Sequence, residues 1–192
     1  FAERVDETYL IDLERPDLDA VFATVGSPVR NAYRRSVRNG VTVRPAQPAE
    51  IRDLLPRVHE QAVGKPTPYV HRVATSLAEQ PPPFPVRCVS AVLDGQAIGV
   101  TVSLRDDAGA ISWLGSVLRE HQSTEATTAM AWDYIGWAYG EGCRTLDMLG
   151  APSPGIGVYK RKFKPVVRPH LVASWQLPGV GLARRLAAVA RP

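Results

Sequence analysis

Residues 86–117, VRCVSAVLDGQAIGVTVSLRDDAGAISWLGSV, carry the pattern that decides the fold. Apolar and polar residues alternate, and Ile98, Val100, Val102 and Leu104 fall on one face at a period of two. Asp94-Gly95 between two such runs is a strong hairpin signal, because both positions of a tight turn accept positive φ. Asp106-Asp107-Ala108-Gly109 supplies a second turn before a run from Ala110 to Val117. Three antiparallel strands in a meander are expected.

Beyond the meander, Ser123 or Thr124 is positioned to cap a helix with Ala126, Met130, Tyr134 and Trp137 near one face, ended by Gly140 to Gly142. Arg144 to Leu149 predicts a strand, Gly150 to Gly155 a loop, Ile156 to Phe163 a short helix, Leu171 to Gln176 a last strand, and Leu182 to Ala190 a terminal helix. Before the meander, Thr8 to Leu13 predicts a strand, and Pro16-Asp17 opens a helix with Leu18, Val21, Phe22 and Val25 on one face. A second helix carries Val29, Tyr33 and Val37 at four-residue spacing. Arg30, Arg34 and Arg38 recur one residue on, forming a basic stripe beside the apolar one. Val41 to Arg44 is a short strand, and residues 48–63 show Ile51, Leu54, Leu55, Val58 and Ala62 as a helical face. The proline-rich stretch that follows leaves room for a short helix near His71 to Glu79.

Composition sets the outer limits. The 192 residues are 45% hydrophobic and 22% charged, with 15 Gly and 17 Pro, which excludes a charge-dominated or low-complexity disordered chain. No apolar run approaches the ~20 residues that span a bilayer, and the first residues lack a signal-peptide pattern, so a cytoplasmic protein is expected. Cys88 and Cys143 have no partner at metal-ligand spacing and are expected as buried free thiols; no metal site is expected. The net charge of +4 conceals an uneven distribution. Residues 1–19 hold seven acids and two arginines, a net of −5, leaving +9 for the rest. That surplus concentrates at Arg30, Arg34, Arg35 and Arg38 and at Lys160, Arg161, Lys162, Lys164 and Arg168, which suggests an anion site.

The order of elements is mixed α/β and resembles the GCN5-related N-acyltransferase (GNAT) fold, an antiparallel meander followed by a β-α-β crossover. Arg144 to Gly150 followed by Gly155 to Phe163 resembles the closing pattern of the FemABX-type branch, in which a strand ending in Asp and Gly leads to Gly-x-x-x-aromatic-Lys-x-x-Phe. Arg30 to Val41 resembles the basic helix preceding that branch's core. The resemblance implies a lead-in over 1–40, an acyltransferase core over 41–178 and a C-terminal helix over 179–192. The first residue is Phe1 rather than Met, and family members commonly pair two such domains, so a second GNAT domain upstream is expected. Acetyl-CoA-dependent relatives carry a glycine-bearing loop before the crossover helix, whose amides and helix N-terminus hold the donor pyrophosphate. Here the place reads Arg119 to Ala126, REHQSTEA, without either glycine and with an acid at the helix start. The resemblance then implies an aminoacyl-tRNA donor, no bound cofactor, and an amine acceptor, either a peptidoglycan precursor or a small metabolite. Acyl-CoA as cosubstrate is the alternative, and a non-catalytic tRNA-binding module the second.

Aminoacyl transfer to an amine passes through a tetrahedral oxyanion, so the site needs a positive or hydrogen-bonding group there and a destination for the amine proton. The resemblance places Lys160 and Tyr159 at that centre. Asp147, in a strand where a lone carboxylate is costly, either orients Lys160, accepts a proton, or bonds its own loop at Gly150. His121 is a further candidate near neutral pH. Arg30, Arg34, Arg38 and Lys162, with Gly150 in the intervening loop, are expected to bind substrate, the cations through phosphates. As alternatives, Lys160 and the arginines are solvated, with the stripe pairing the acidic leader, and His121 is a surface residue. Trp113 and Trp132 are expected in the core, and His59, His71 and His170 carry no assigned role.

Overall fold

The alternation in residues 86–117 produces three antiparallel strands, β3 (Val86–Leu93), β4 (Gln96–Arg105) and β5 (Gly109–Val117). The computed structural model describes residues 2–174 apart from 81, 108 and 152, so the expected terminal helix lies outside the described residues. Asp94 and Gly95 both take positive φ, 49° and 79°, as the turn signal requires. With β1 (Ala2–Asp12), β2 (Thr42–Pro45), β6 (Thr145–Asp147) and β7 (Val166–Ser174), these strands form one sheet in the order β2-β3-β4-β5-β6-β1-β7. Every neighbouring pair is antiparallel except β5 with β6. The lead-in strand β1 is therefore hydrogen-bonded inside this sheet, between β6 and β7.

Among the described residues six α-helices cover the sheet: α1 (Leu18–Thr24), α2 (Ser27–Arg38), α3 (Pro48–Val63), α4 (Pro68–Glu79), α5 (Ala126–Gly140) and α6 (Pro154–Arg161). On one face, Ile51 and Leu55 of α3 and Val70 and Ala74 of α4 bury Val100, Val102 and Leu114. On the other, Ala126, Ala129 and Met130 of α5 bury Val89, Ala91, Ile98 and Val117. A third cluster seats α1 and α5 on β1 and β6 through Ile11, Val21, Val25, Ile135, Leu146 and Phe163. Burying a large aliphatic side chain contributes about 1.5–3 kcal/mol, so these three clusters hold the layers together.

Several expectations are corrected. Ile98 does not share a face with Val100 and Val102: the β3–β4 register shifts at Ala91/Val92, and this bulge turns Ile98 toward α5. Val37 is 55% exposed, because α2 buries Val29, Ala32 and Ser36 instead. The strand at Thr8 begins at Ala2, the last strand begins at Val166, and α4 begins at Pro68, where a first-turn proline forfeits no helical hydrogen bond. Trp132 packs against the third cluster as expected. Both cysteines are free, Cys143 buried and Cys88 half-buried, and burial pushes the Cys88 thiol up to about 11.

The start of α3 is pinned to the sheet edge. Glu50 accepts two hydrogen bonds from Arg44, at 2.9 and 2.6 Å, one from Ser90 Oγ at 2.7 Å and one from the Gln47 amide at 2.9 Å. The Arg44 guanidinium, ahead of the other donors, holds the Glu50 carboxyl down at about 2. Among the described residues no helix is long and apolar enough to cross a membrane. No group of three or more His, Cys, Asp or Glu among them could hold a metal ion.

Candidate active site

β5 and β6 pair only from Gly109 to Ile111 against Thr145 to Asp147, after which β5 runs on to Val117 while the other chain turns away. The sheet splits at that point. A cavity of about 750 Å³ fills the split, reaching His59 and Val63 of α3 on one side and Thr128 and Tyr134 of α5 on the other. β5 is shaped to form its wall. Trp113 is an extra residue between the Val102–Leu114 and Ser103–Ser112 pairs. Gly115, at φ +116°, lets β5 lie so close to β4 that a Cβ there would stand 2.1 Å from the Val100 carbonyl oxygen.

The opposite wall is the turn Met148-Leu149-Gly150, whose backbone is held from two sides. Asp147 Oδ1 accepts the Leu149 amide at 2.6 Å and also the Thr8 hydroxyl. Lys160 Nζ donates to the carbonyl oxygens of Met148, Leu149 (3.2 Å) and Gly150 (2.6 Å). An ammonium has three N–H donors, so Lys160 is fully committed to this turn. The clamp stabilises Leu149 in the left-handed region, at φ 61°. Burial lowers the Lys160 pKa to about 8, against the opposing effect of the Asp147 charge. The ammonium also lies 5.9 Å from the Tyr9 ring centroid.

The α5 side has the opposite character. Tyr159 and Thr101 line the cavity with other atoms, while their hydroxyls are buried out of its reach and have no hydrogen bond of ordinary geometry among the described residues. The Thr128 hydroxyl interacts with that of Tyr159 and opposes the rise in its pKa. Burial pushes both Tyr159 and Tyr134 up, the latter to about 12, so both stay protonated at neutral pH. Glu125 caps α5 from the left-handed region, at φ 62°, and its Oε1 pairs with Arg35 at 2.5 Å. Residues 119–124 form a tight 3-10 turn, which places His121 ahead of α5; Glu125 takes the cap position, while the Thr124 hydroxyl accepts the Ala126 amide at 3.3 Å.

Of the residues singled out by sequence, Lys160, Tyr159 and Gly150 meet at the cavity, with Asp147 supporting the turn that carries Gly150. Lys162 caps the C-terminus of α6, its carbonyl accepting the Gly26 amide at 3.1 Å. Arg30 donates to the carbonyls of Val25 and Ala23, closing the end of α1, while Arg34 and Arg38 are exposed along α2. None of Arg30, Arg34, Arg38, Lys162 and His121 lines the cavity. The acidic leader meets Arg161 through Glu7 at 2.8 Å. Trp113, expected in the core, packs partly against it and also lines the cavity. His59 was passed over by sequence, although it follows Leu55 by one turn on the inward side of α3. It is half-buried, and desolvation lowers its pKa against the opposing Glu60 charge.

Residues 23–161 match the acetyltransferase (GNAT) domain family. The chain belongs to that family. Among solved structures, it superposes on FemX with a TM-score of 0.71 at 10% identity, over 84% of this chain and 59% of FemX. The C-terminal domain of an Agrobacterium fabrum protein described as a lysylphosphatidylglycerol synthetase gives 0.58 at 15% identity, over 97% of this chain and 66% of that one. The aminoglycoside 6'-N-acetyltransferase AAC(6')-Ih of Acinetobacter baumannii gives 0.52 at 15% identity, over 72% and 98%. At these identities the likeness is one of fold. The chain spans about three fifths to two thirds of the first two structures it matches. No curated protein matches the sequence.

The GNAT assignment raises the question of acyl-CoA. Its pyrophosphate would need free amides at the start of α5. Here the amide of Arg119 donates to Gln61 Oε1 at 3.0 Å, that of Ala126 to Thr124 Oγ1, and those of His121 and Glu125 to carbonyls of the same turn. The Glu125 carboxylate adds a negative charge where the phosphates would approach. The residues present do not fit a pyrophosphate at this position.

Proposed function

We propose that this domain is an N-acyltransferase that moves an aminoacyl group from aminoacyl-tRNA onto an amine acceptor. The observation that carries the reading is the closed, acid-capped turn at residues 119–125, which replaces a pyrophosphate cradle in a GNAT domain. The FemABX resemblance of Asp147 to Gly150 and Gly155 to Phe163 supports it, as does the fold shared with FemX and with a protein whose name denotes lysyl attachment. The acceptor nitrogen attacks the ester carbonyl, the C–N bond forms, and the ester C–O bond breaks to release the tRNA hydroxyl. The amine proton passes to His59, the cavity base that burial keeps neutral, and from it to the leaving oxygen. Lys160 supplies positive charge beside the developing oxyanion while holding the 148–150 turn in place. Arg34, Arg38 and Lys162 lie outside the cavity, where they suit phosphates of the tRNA. Such a reaction belongs in the cytoplasm, and a second domain of the same fold upstream would complete the acceptor site.

Incubating the purified protein with a mixture of radiolabelled aminoacyl-tRNAs and candidate amines, including peptidoglycan precursors, tests the reading. Label transferred to an amine, with no transfer from labelled acetyl-CoA, is the expected result. Transfer from acetyl-CoA alone overturns it in favour of an ordinary acetyltransferase. Salt-sensitive tRNA binding without product identifies a binding module instead.

A further inference from the structure

We infer that Tyr69, at the start of α4, is a positioning residue for the cavity base: its ring holds the His59 imidazole in place on α3, where no hydrogen bond among the described residues does so. This rests on the reading of His59 as the base and deepens it by naming what orients the ring.

The first support is what His59 lacks. A histidine that moves protons is ordinarily aimed by a hydrogen bond at its second ring nitrogen, which also fixes the tautomer. Among the described residues no hydrogen bond reaches either nitrogen of His59. The imidazole instead meets the Tyr69 ring edge to face, with centroids 6.3 Å apart and planes at 72°. Tyr69 is 45% exposed, and the buried residues of α4 are Val70 and Ala74, so the Tyr69 ring is not needed to seat the helix. Its placement serves the contact with His59.

The second support is that the link between α3 and α4 is built to keep Tyr69 there. Gly64 ends α3 in the left-handed region, at φ 72°, and Pro66 and Pro68 restrict the backbone that follows. Glu60, next to His59, ties the start of α4 back to α3: its Oε1 accepts the Thr67 amide at 2.8 Å and lies 3.1 Å from His71 Nε2. Thr67 Oγ1 donates to the Lys65 carbonyl at 3.2 Å. Two residues beyond Thr67, the tyrosine has little freedom to leave the imidazole.

A ring covering one side of the imidazole also withdraws it from water, which favours the neutral form. The Glu60 charge on the same helix opposes this, and His71 of α4 is paired with Glu60. Arg119 ahead of α5, Glu125 and Tyr134 of α5, and Tyr159 and Lys160 of α6 are the other titratable groups lining the cavity.

The test is an NMR titration of the His59 ring without substrate, followed by turnover with the aminoacyl-tRNA and amine of the assay above. His59→Gln assigns the signal. A through-space contact between the two rings is expected in the wild type, and its absence overturns the inference whatever the variants do. Tyr69→Leu should raise the His59 pKa by ~0.5 or more toward the ordinary value and carry the acid limb of activity with it. Its kcat should fall ~10-fold with KM changed less than ~2-fold, as when a base is misaimed and binding is intact. Tyr69→Phe restores the ring and should rescue both. An unmoved titration or an unchanged kcat in Y69L overturns the inference, as does a Y69F protein as slow as Y69L, which would assign the effect to the hydroxyl. Undiminished turnover in H59Q overturns the base itself. Absence of product from every aminoacyl donor overturns the donor reading, while the titration still decides whether Tyr69 holds the ring.

Discussion

The two walls of the cavity differ in what their polar groups are doing. At the 148–150 turn the side chains are committed to the backbone and to β1: Asp147 Oδ1 holds an amide and a hydroxyl, and Lys160 holds three carbonyls. On the α5 side the Tyr159 and Thr101 hydroxyls are sealed from the cavity without a bond of ordinary geometry among the described residues, and Glu125 is paired with Arg35. Lys160 thus acts first as a clamp on the backbone.

The largest effect should come from breaking the clamp. Lys160→Met leaves three carbonyls and a left-handed leucine without their support, and should destabilise the protein by about 2–4 kcal/mol in denaturant unfolding. Turnover should fall more than ~100-fold, since small displacements at a reacting centre are costly. Lys160→Arg keeps the charge without matching the three carbonyls and should fall between. Wild-type turnover in K160M would show that the wall is dispensable.

Next in size is His59→Gln, which should lower turnover by about 100-fold, the worth of a general base. Its pH profile sharpens the comparison. Because burial lowers the His59 pKa, the acid limb of wild-type activity should lie below the ordinary histidine range and vanish in the variant. The alkaline limb should fall near pH 8, where Lys160 loses its proton and one carbonyl its donor. An alkaline limb unchanged in K160R would remove Lys160 from that assignment.

Glu50, a committed group far from the cavity, should affect stability alone. Its folded-state pKa lies below its ordinary value, so its contribution is complete above about pH 4.5 and is lost as pH falls toward 2. Glu50→Gln should cost about 1–2 kcal/mol at pH 7 after allowance for solvent screening, and the gap to wild type should close by pH 2. A gap constant with pH would show that packing, not charge, is lost. The smallest effect is expected from Arg34→Gln with Arg38→Gln. Both are exposed, and their removal should weaken tRNA binding by ~10-fold or less and reduce its salt dependence, with no change in folding.

Much of the frame was legible in the sequence. The Asp94-Gly95 turn, the period of two and the α3 stripe from Ile51 to Ala62 predict the elements found. Ile98 was misplaced because a bulge leaves no mark in an alternating pattern. Asp147, Gly150, Tyr159 and Lys160 were recoverable as a motif, but their bonding was not: the partners of Lys160 are backbone carbonyls, which no side-chain pattern announces. The cavity itself was harder still, since Thr101, Glu125 and Tyr159 line it from three distant elements. His59 could have been found from its place one turn after Leu55.

The most direct measurement of the central claim is thermal unfolding in the presence of coenzyme A or of a 3'-aminoacylated RNA stem. A ligand that binds the folded state raises the melting temperature with its concentration. The account predicts stabilisation by the aminoacylated stem and none by coenzyme A. Stabilisation by coenzyme A with no response to the stem would contradict it.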